Sequence, residues 1–185
     1  MLGAAAVAMW WDIAPEVQAE WEDWHTNEHM PERLSIPGFL RGSRWVCGAS
    51  YFVLYELDRP ETLTGAAYLE RLNDPTPWSR RMMPHHRNMV RSLCEVREGF
   101  GRGLAGMLAT MQERVDVATL RERKGICAAH LLQARPMAGV PQTAEQKMRG
   151  GDREAKWVAL VGGYDAEAVA QALPGGSLYR LSYCL

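Results

Sequence analysis

The chain has no net field of either sign. Its 21 lysines and arginines stand against 22 aspartates and glutamates in 185 residues, a formal charge of -1. Without an excess of one sign there is no global attraction for nucleic-acid phosphates or anionic lipid, so no nucleic-acid or membrane partner is expected and any anion site must be local. There is no C-x-x-C pair either. The four cysteines, Cys47, Cys94, Cys127 and Cys184, stand singly, which excludes a zinc ribbon and a thioredoxin-type dithiol. No apolar run approaches the roughly 18 residues of a membrane helix. The apolar start, Met1 to Met9, lacks a basic region and runs straight into Trp10, Trp11 and Asp12. A reduced, cytoplasmic, unprocessed protein is the expectation. Long polar tracts are also missing: 47% hydrophobic and 23% charged residues exclude disordered, collagen-like and coiled-coil classes. What remains is enough apolar material for a sizeable core, in a length that suits about one domain or two small fused halves.

The order of elements organises that core. Gly3 to Trp11 reads as a buried strand ended by Ala14-Pro15. From Glu16 the apolar positions Val17, Trp21, Trp24 and Met30 recur at helical spacing, with acidic residues in the first turns, where a helix dipole favours them. Pro31 disfavours helical geometry at Met30, so a kink is expected near His29 and Met30. Phe39 to Cys47 and Tyr51 to Leu57 read as a hairpin, Glu61 to Leu72 and Ser79 to Met89 as helices, and Ser92 to Glu98 as a strand. The second half repeats this order more loosely: strand candidates at Leu104 to Arg114, Ile126 to Arg135, Lys156 to Val161 and Ser177 to Leu185, with helices at Val117 to Lys124 and Ala166 to Leu173. The fold class expected is α+β, with two tandem ferredoxin-like (βαββαβ) halves, residues 1–100 and 101–185, packing sheet to sheet as a fused α+β barrel. Gly99 to Gly103, with three glycines in five residues, is the expected linker. Pro136 to Ala155, rich in Pro, Gly, Gln and charge, reads as a lid or as disorder.

Most of the chemistry is concentrated between Trp21 and Phe39. About five turns of chain carry two indoles, two imidazoles, several carboxylates and an arginine. The residues Trp24, His25, Asn27, Glu28, His29, Pro31, Glu32, Arg33, Leu34, Ile36, Pro37, Gly38 and Phe39 read W-H-x-N-E-H-x-P-E-R-L-x-I-P-G-F. In this stretch the sequence resembles the dimeric α+β barrel superfamily, and within it the EthD-like proteins and their uncharacterised relatives. The resemblance implies a pocket between sheet and helices that holds a small aromatic or polyketide-like molecule. Its members include cofactor-free monooxygenases, isomerases, lyases and heme enzymes, so the fold leaves the reaction open. Homodimers are a further expectation from the resemblance. The second half of this chain lacks the Trp/His/Pro-Glu-Arg helix, so one pocket is expected.

His25 and His29, four residues apart, would share a helix face, and an imidazole titrating near pH 6.5 gives or takes a proton near neutrality. The expected roles are His29 and His25 as acid/base residues, with Trp24, Asn27, Arg33, Tyr55, Trp78 and His85 binding substrate. Each has a plainer reading. An imidazole can cap or pack, Tyr51 and Tyr55 can be core aromatics, and Trp78 to Asn88 can be a solvated basic face. His25 to His29 also matches H-x-x-E-H, a zinc-protease pattern that needs a third ligand, and a metal-dependent enzyme using His25, His29 and a distant histidine is a third alternative. The leading reading assigns no metal and no cofactor. It favours lyase or isomerase chemistry, since proton transfer needs only a positioned imidazole. A non-catalytic binding or self-association protein is the rival, and would turn the same helix outward.

Overall fold

The structure, a computed structural model, describes residues 1–136, 143–148 and 150–185. Eight strands form one closed antiparallel barrel, carrying a few short helices on its outside. The strands are β1 (Ala5–Asp12), β2 (Phe39–Cys47), β3 (Ser50–Leu57), β4 (Arg87–Phe100), β5 (Met107–Met111), β6 (Ile126–Ala134), β7 (Trp157–Gly163) and β8 (Ser177–Cys184), and their order around the barrel is β1-β3-β2-β8-β5-β7-β6-β4. Closure within one polypeptide leaves no sheet edge exposed. The strands therefore form one continuous barrel and not two sheets that only face each other. β4 pairs with β1 over its first part and with β6 over its last, and β2 pairs with β8.

Alternation along the strands builds three layers. Ala6, Ala8 and Trp10 of β1 and Phe52 and Leu54 of β3 point into the barrel, where they meet Trp45, Leu132, Val158 and Tyr179. Their neighbours Val7, Met9, Trp11, Tyr51, Val53, Tyr55 and Leu57 point outward under the helices of the first half. β1 is buried on both faces, which is why it reads as one unbroken apolar run. A third cluster lies under α6 (Ala166–Ala172) in the second half.

The helix expected from residue 16 comes in three pieces: α1 (Pro15–Trp24), a π-helical turn (His25–His29) and α2 (Met30–Leu34). Met30 N–H donates to the His25 carbonyl, five residues back. Pro31 is the cause, because its ring would meet the carbonyl four residues before it in a regular α-helix, and the wider turn relieves that. α2 then lies close on β2 at Gly42, where a Cβ would come within 2.9 Å of Met30 Sδ. Gly38, with φ +97°, makes the turn into β2 that a side chain would strain.

Several expectations are corrected. Glu61 to Leu72 divides into a 3-10 turn (Pro60–Thr64) and α3 (Ala66–Asn73). The helix expected over Ser79 to Met89 is α4 (Pro77–Met82) and a 3-10 turn (Met83–His85), after which β4 starts at Arg87. Pro84 cannot continue the helix. Gly99 belongs to β4, paired with His130, so the linker begins at residue 101. Val117 to Lys124 contracts to a 3-10 turn (Ala118–Leu120). The polar stretch 136–155 falls partly outside the described residues, at 137–142 and 149. Its described part is ordered: α5 (Ala144–Met148) packs on α3, and Arg153 to Ala155 hydrogen-bonds along β4.

Candidate active site

The outward face of β1 and β3, covered by the π-helical turn, α2, α3 and α5, encloses a cavity of about 30 Å³. Val7, Met9, Phe39 and Leu72 form its apolar wall, and His29, Arg33, Tyr55, Tyr68, Arg91 and Glu145 supply its polar groups. The volume is room for one or two waters, against the roughly 150 Å³ of a cavity that takes benzene.

Arg33 is 4% exposed, and its Nη2 donates to Glu145 Oε1 in a buried ion pair that spans 112 residues of sequence. Its Nη1 has no hydrogen-bond partner among the described residues, and the same holds for the buried Tyr55 hydroxyl. Burial pushes the Tyr55 phenol well above its ordinary pKa, so it stays protonated and able to donate. Arg91 Nη2 donates to the Tyr68 hydroxyl at 2.9 Å. Two guanidinium groups thus share the cavity wall with one carboxylate.

His29 is held from behind by aromatic rings. Trp24, fully buried, lies 4.6 Å from it between ring centroids, and His25 lies 5.5 Å from it. The Trp24 indole N–H donates to Glu28 Oε1 at 3.1 Å and to Ser79 Oγ at 3.3 Å, and Thr76 donates to the same Glu28 oxygen at 2.5 Å. Glu28 is therefore committed to fixing the indole and is turned away from His25. The H-x-x-E-H residues do not face one point, and no group of three or more potential ligands is gathered among the described residues.

His25 does not line the cavity. It stacks on Trp21 at 4.8 Å with its Nδ1 3.5 Å from Arg44 Nη1. Burial, then the Arg44 charge, holds its pKa well below 6.5, so it is neutral near neutrality. Of the expected binding residues, Arg33 and Tyr55 reach the cavity beside His29, and Trp24 stands one layer behind. The other three do not line it. Asn27 is exposed and donates to Asp23 at 2.6 Å, because the π-turn that buries both imidazoles leaves it on the solvent side. Trp78 packs partly buried against the first-half core without lining the cavity. His85 is half-buried at the end of its 3-10 turn, while His86 is the imidazole that turns inward, its ring 5.0 Å from Trp11 and its Nδ1 2.9 Å from the Met83 carbonyl oxygen.

Sequence reasoning missed Glu145 and Tyr68. Tyr68 had a signal, the spacing with Leu72 on one face of α3. Glu145 had a faint one, since Met148 three residues on packs against the same core.

No family model matches the chain, and no curated protein matches it. Among solved structures it shares its fold with an anthrone oxidase-like protein, at 11% identity over 98% of this chain and 92% of that one with a TM-score of 0.60. It is also similar to a provisionally named monooxygenase from Fusobacterium nucleatum, at 8% identity over 98% of this chain and 93% of that one with a TM-score of 0.52. At these identities the likeness is one of fold.

Proposed function

We propose that the chain is an enzyme acting on a small, oxygen-bearing aromatic or polyketide-like compound by proton transfer, with His29 as general acid/base. The observation that carries this is the convergence of His29, Arg33 and Tyr55 on one enclosed cavity. An imidazole there takes a proton from a carbon next to a carbonyl, while Tyr55 O–H and Arg33 N–H donate to the oxygen on which negative charge develops. Returning the proton at another carbon gives an isomerase, and expelling a leaving group gives a lyase. The buried positions of Trp21, Trp24, His25, His29 and Arg33 weigh against the rival in which this helix is an association surface.

The names of the two solved neighbours favour a second reading of the same anion, its reaction with dioxygen. A CH2 group next to an aromatic ring would become C=O, and the second oxygen atom would leave as water. Both readings share the first proton transfer, so that step is the one to test. Anthrone incubated anaerobically in D2O with the protein should exchange its acidic C–H protons faster than in buffer, as read by NMR. His29→Ala should reduce the enzyme-dependent rate by roughly 100-fold or more, the usual range for a positioned acid/base. Unchanged exchange in that variant would remove His29 from the role. Admitting air then separates the reactions, since oxygenation consumes one O2 per substrate and isomerisation none.

The order β4-β1-β3-β2 in residues 1–100 and β8-β5-β7-β6 in residues 101–185 supports reading the barrel as two fused ferredoxin-like halves. With the W-H-x-N-E-H-x-P-E-R motif, it supports a place near the EthD-like members of the dimeric α+β barrel superfamily. A homodimer would then pair two complete barrels.

A further inference from the structure

The cavity that holds the candidate acid/base is too small for any ring while Glu145 occupies it, and the way it is occupied is informative. Glu145 reaches Arg33 from α5, five residues long, which among the described residues is held by packing on α3, by Ala144 N–H donating to Asn73 Oδ1 at 3.1 Å, and by Met148 at the edge of the core. Arg33, by contrast, is fixed in α2 one turn beyond His29. A guanidinium in such an apolar box needs an anion beside it. Glu145 satisfies only part of what the box offers, for Arg33 Nη1 and Tyr55 Oη, both buried and both lining the cavity, remain without partners among the described residues. A groove of about 250 Å³ lies next to the cavity and shares Tyr68, Leu72 and Arg91 with it, and Thr143 and Gln146 on either side of Glu145 line that groove.

We propose that Glu145 is a resident stand-in for the ligand's own anionic oxygen. The ligand is an aromatic anion, a carboxylate or ionised phenol, which enters by the groove, displaces Glu145 from Arg33 and takes up the unused donors of Arg33 and Tyr55. One anion replaces another, so the buried guanidinium is never left bare, whereas a neutral ligand compensates Arg33 only once it ionises there, as anthrone does on losing its C–H proton, and a neutral ligand that cannot ionise leaves Arg33 uncompensated. The inference rests on the reading of this cavity as the site and adds to it the charge of what binds there.

The test compares 1-naphthoate with its neutral isostere 1-naphthamide by calorimetric titration of the wild-type protein, Glu145→Gln and Tyr55→Phe. Naphthoate should bind the wild type at least about tenfold more tightly than naphthamide. Glu145→Gln, which keeps the side-chain size and removes the competing charge, should tighten naphthoate by about tenfold or more and tighten naphthamide too, with naphthoate still preferred by about tenfold or more. Tyr55→Phe should weaken naphthoate several-fold. The Tm of Glu145→Gln should fall and should be raised by naphthoate more than the wild type's is. Equal binding of the two probes, unmoved by Glu145→Gln, would overturn the anion assignment and leave the cavity as the site. Binding of neither probe to any of the three proteins would overturn both.

Discussion

Arg33 and Glu145, 112 residues apart, form an ion pair with side-chain exposures of 4% and 3% in the cavity that His29 also lines. Removing one partner leaves a charge buried without compensation, a loss of about 3–5 kcal/mol. Glu145→Ala should therefore destabilise the protein by that amount in urea unfolding at pH 7.5. Replacing both residues with methionine should recover most of it, since an apolar pair of similar volume carries no desolvation cost. A double variant no more stable than Glu145→Ala would show that the pair is not what Glu145 contributes.

The pH dependence of stability follows from two buried imidazoles. Burial, then the nearby Arg44 charge, holds His25 well below 6.5, and burial, then the N-terminal ammonium 2.8 Å from its Nε2, lowers His130 to about 4. Both groups bind a proton more readily in the unfolded chain. The folded state is therefore at full advantage above pH 6.5 and loses stability as pH falls below it, on the order of 3 kcal/mol from His130 by pH 4. Urea midpoints from pH 7.5 down to 4.5 should fall, the ring protons of His130 should not titrate above pH 5, and those of His25 should titrate well below the ordinary imidazole value.

Trp24 sets the wall against which His29 rests. Trp24→Phe keeps a ring but removes the N–H that binds Glu28 and Ser79, and should cost about 1–3 kcal/mol. Proton exchange catalysed at His29 should fall in the same variant, with His29 shifted in NMR. Loss of stability with unchanged exchange would make Trp24 a packing residue alone.

Gly42 lets α2 approach the barrel, and an added Cβ would lie 2.9 Å from Met30 Sδ and 3.0 Å from Leu34 Cδ2. Gly42→Ala should overpack this contact by about 1–3 kcal/mol and displace the helix that carries Arg33. Thermal unfolding checks the cost, and naphthoate affinity checks the displacement.

Strands were the readable part of this fold because, buried on both faces, they read as short apolar runs closed by glycine or proline. β2 and β3 have the bounds their patterns give, within a residue. β4 was harder: it starts at Arg87 and Asn88, both exposed, so its first residues look like the end of a basic helix. The motif helix announced its kink through Pro31, but not that the kink would be a π-turn turning Asn27 outward. His85 and His86 could not be told apart because helical phase ends at Pro84. Glu145 was out of reach for a different reason. Its partner lies across the whole first half of the chain, and a polar segment with one buried carboxylate has the composition of a loop. The barrel's closure shares that difficulty, since the β2–β8 and β4–β6 pairings depend on chain geometry and leave no local pattern.

The most direct test of the account is the anaerobic exchange of anthrone C–H protons in D2O, followed by NMR, with the wild-type protein and His29→Ala side by side. The account predicts protein-dependent exchange that falls by roughly 100-fold or more in the variant while its circular dichroism and Tm stay near the wild type's. Exchange that persists in a folded His29→Ala protein would contradict it.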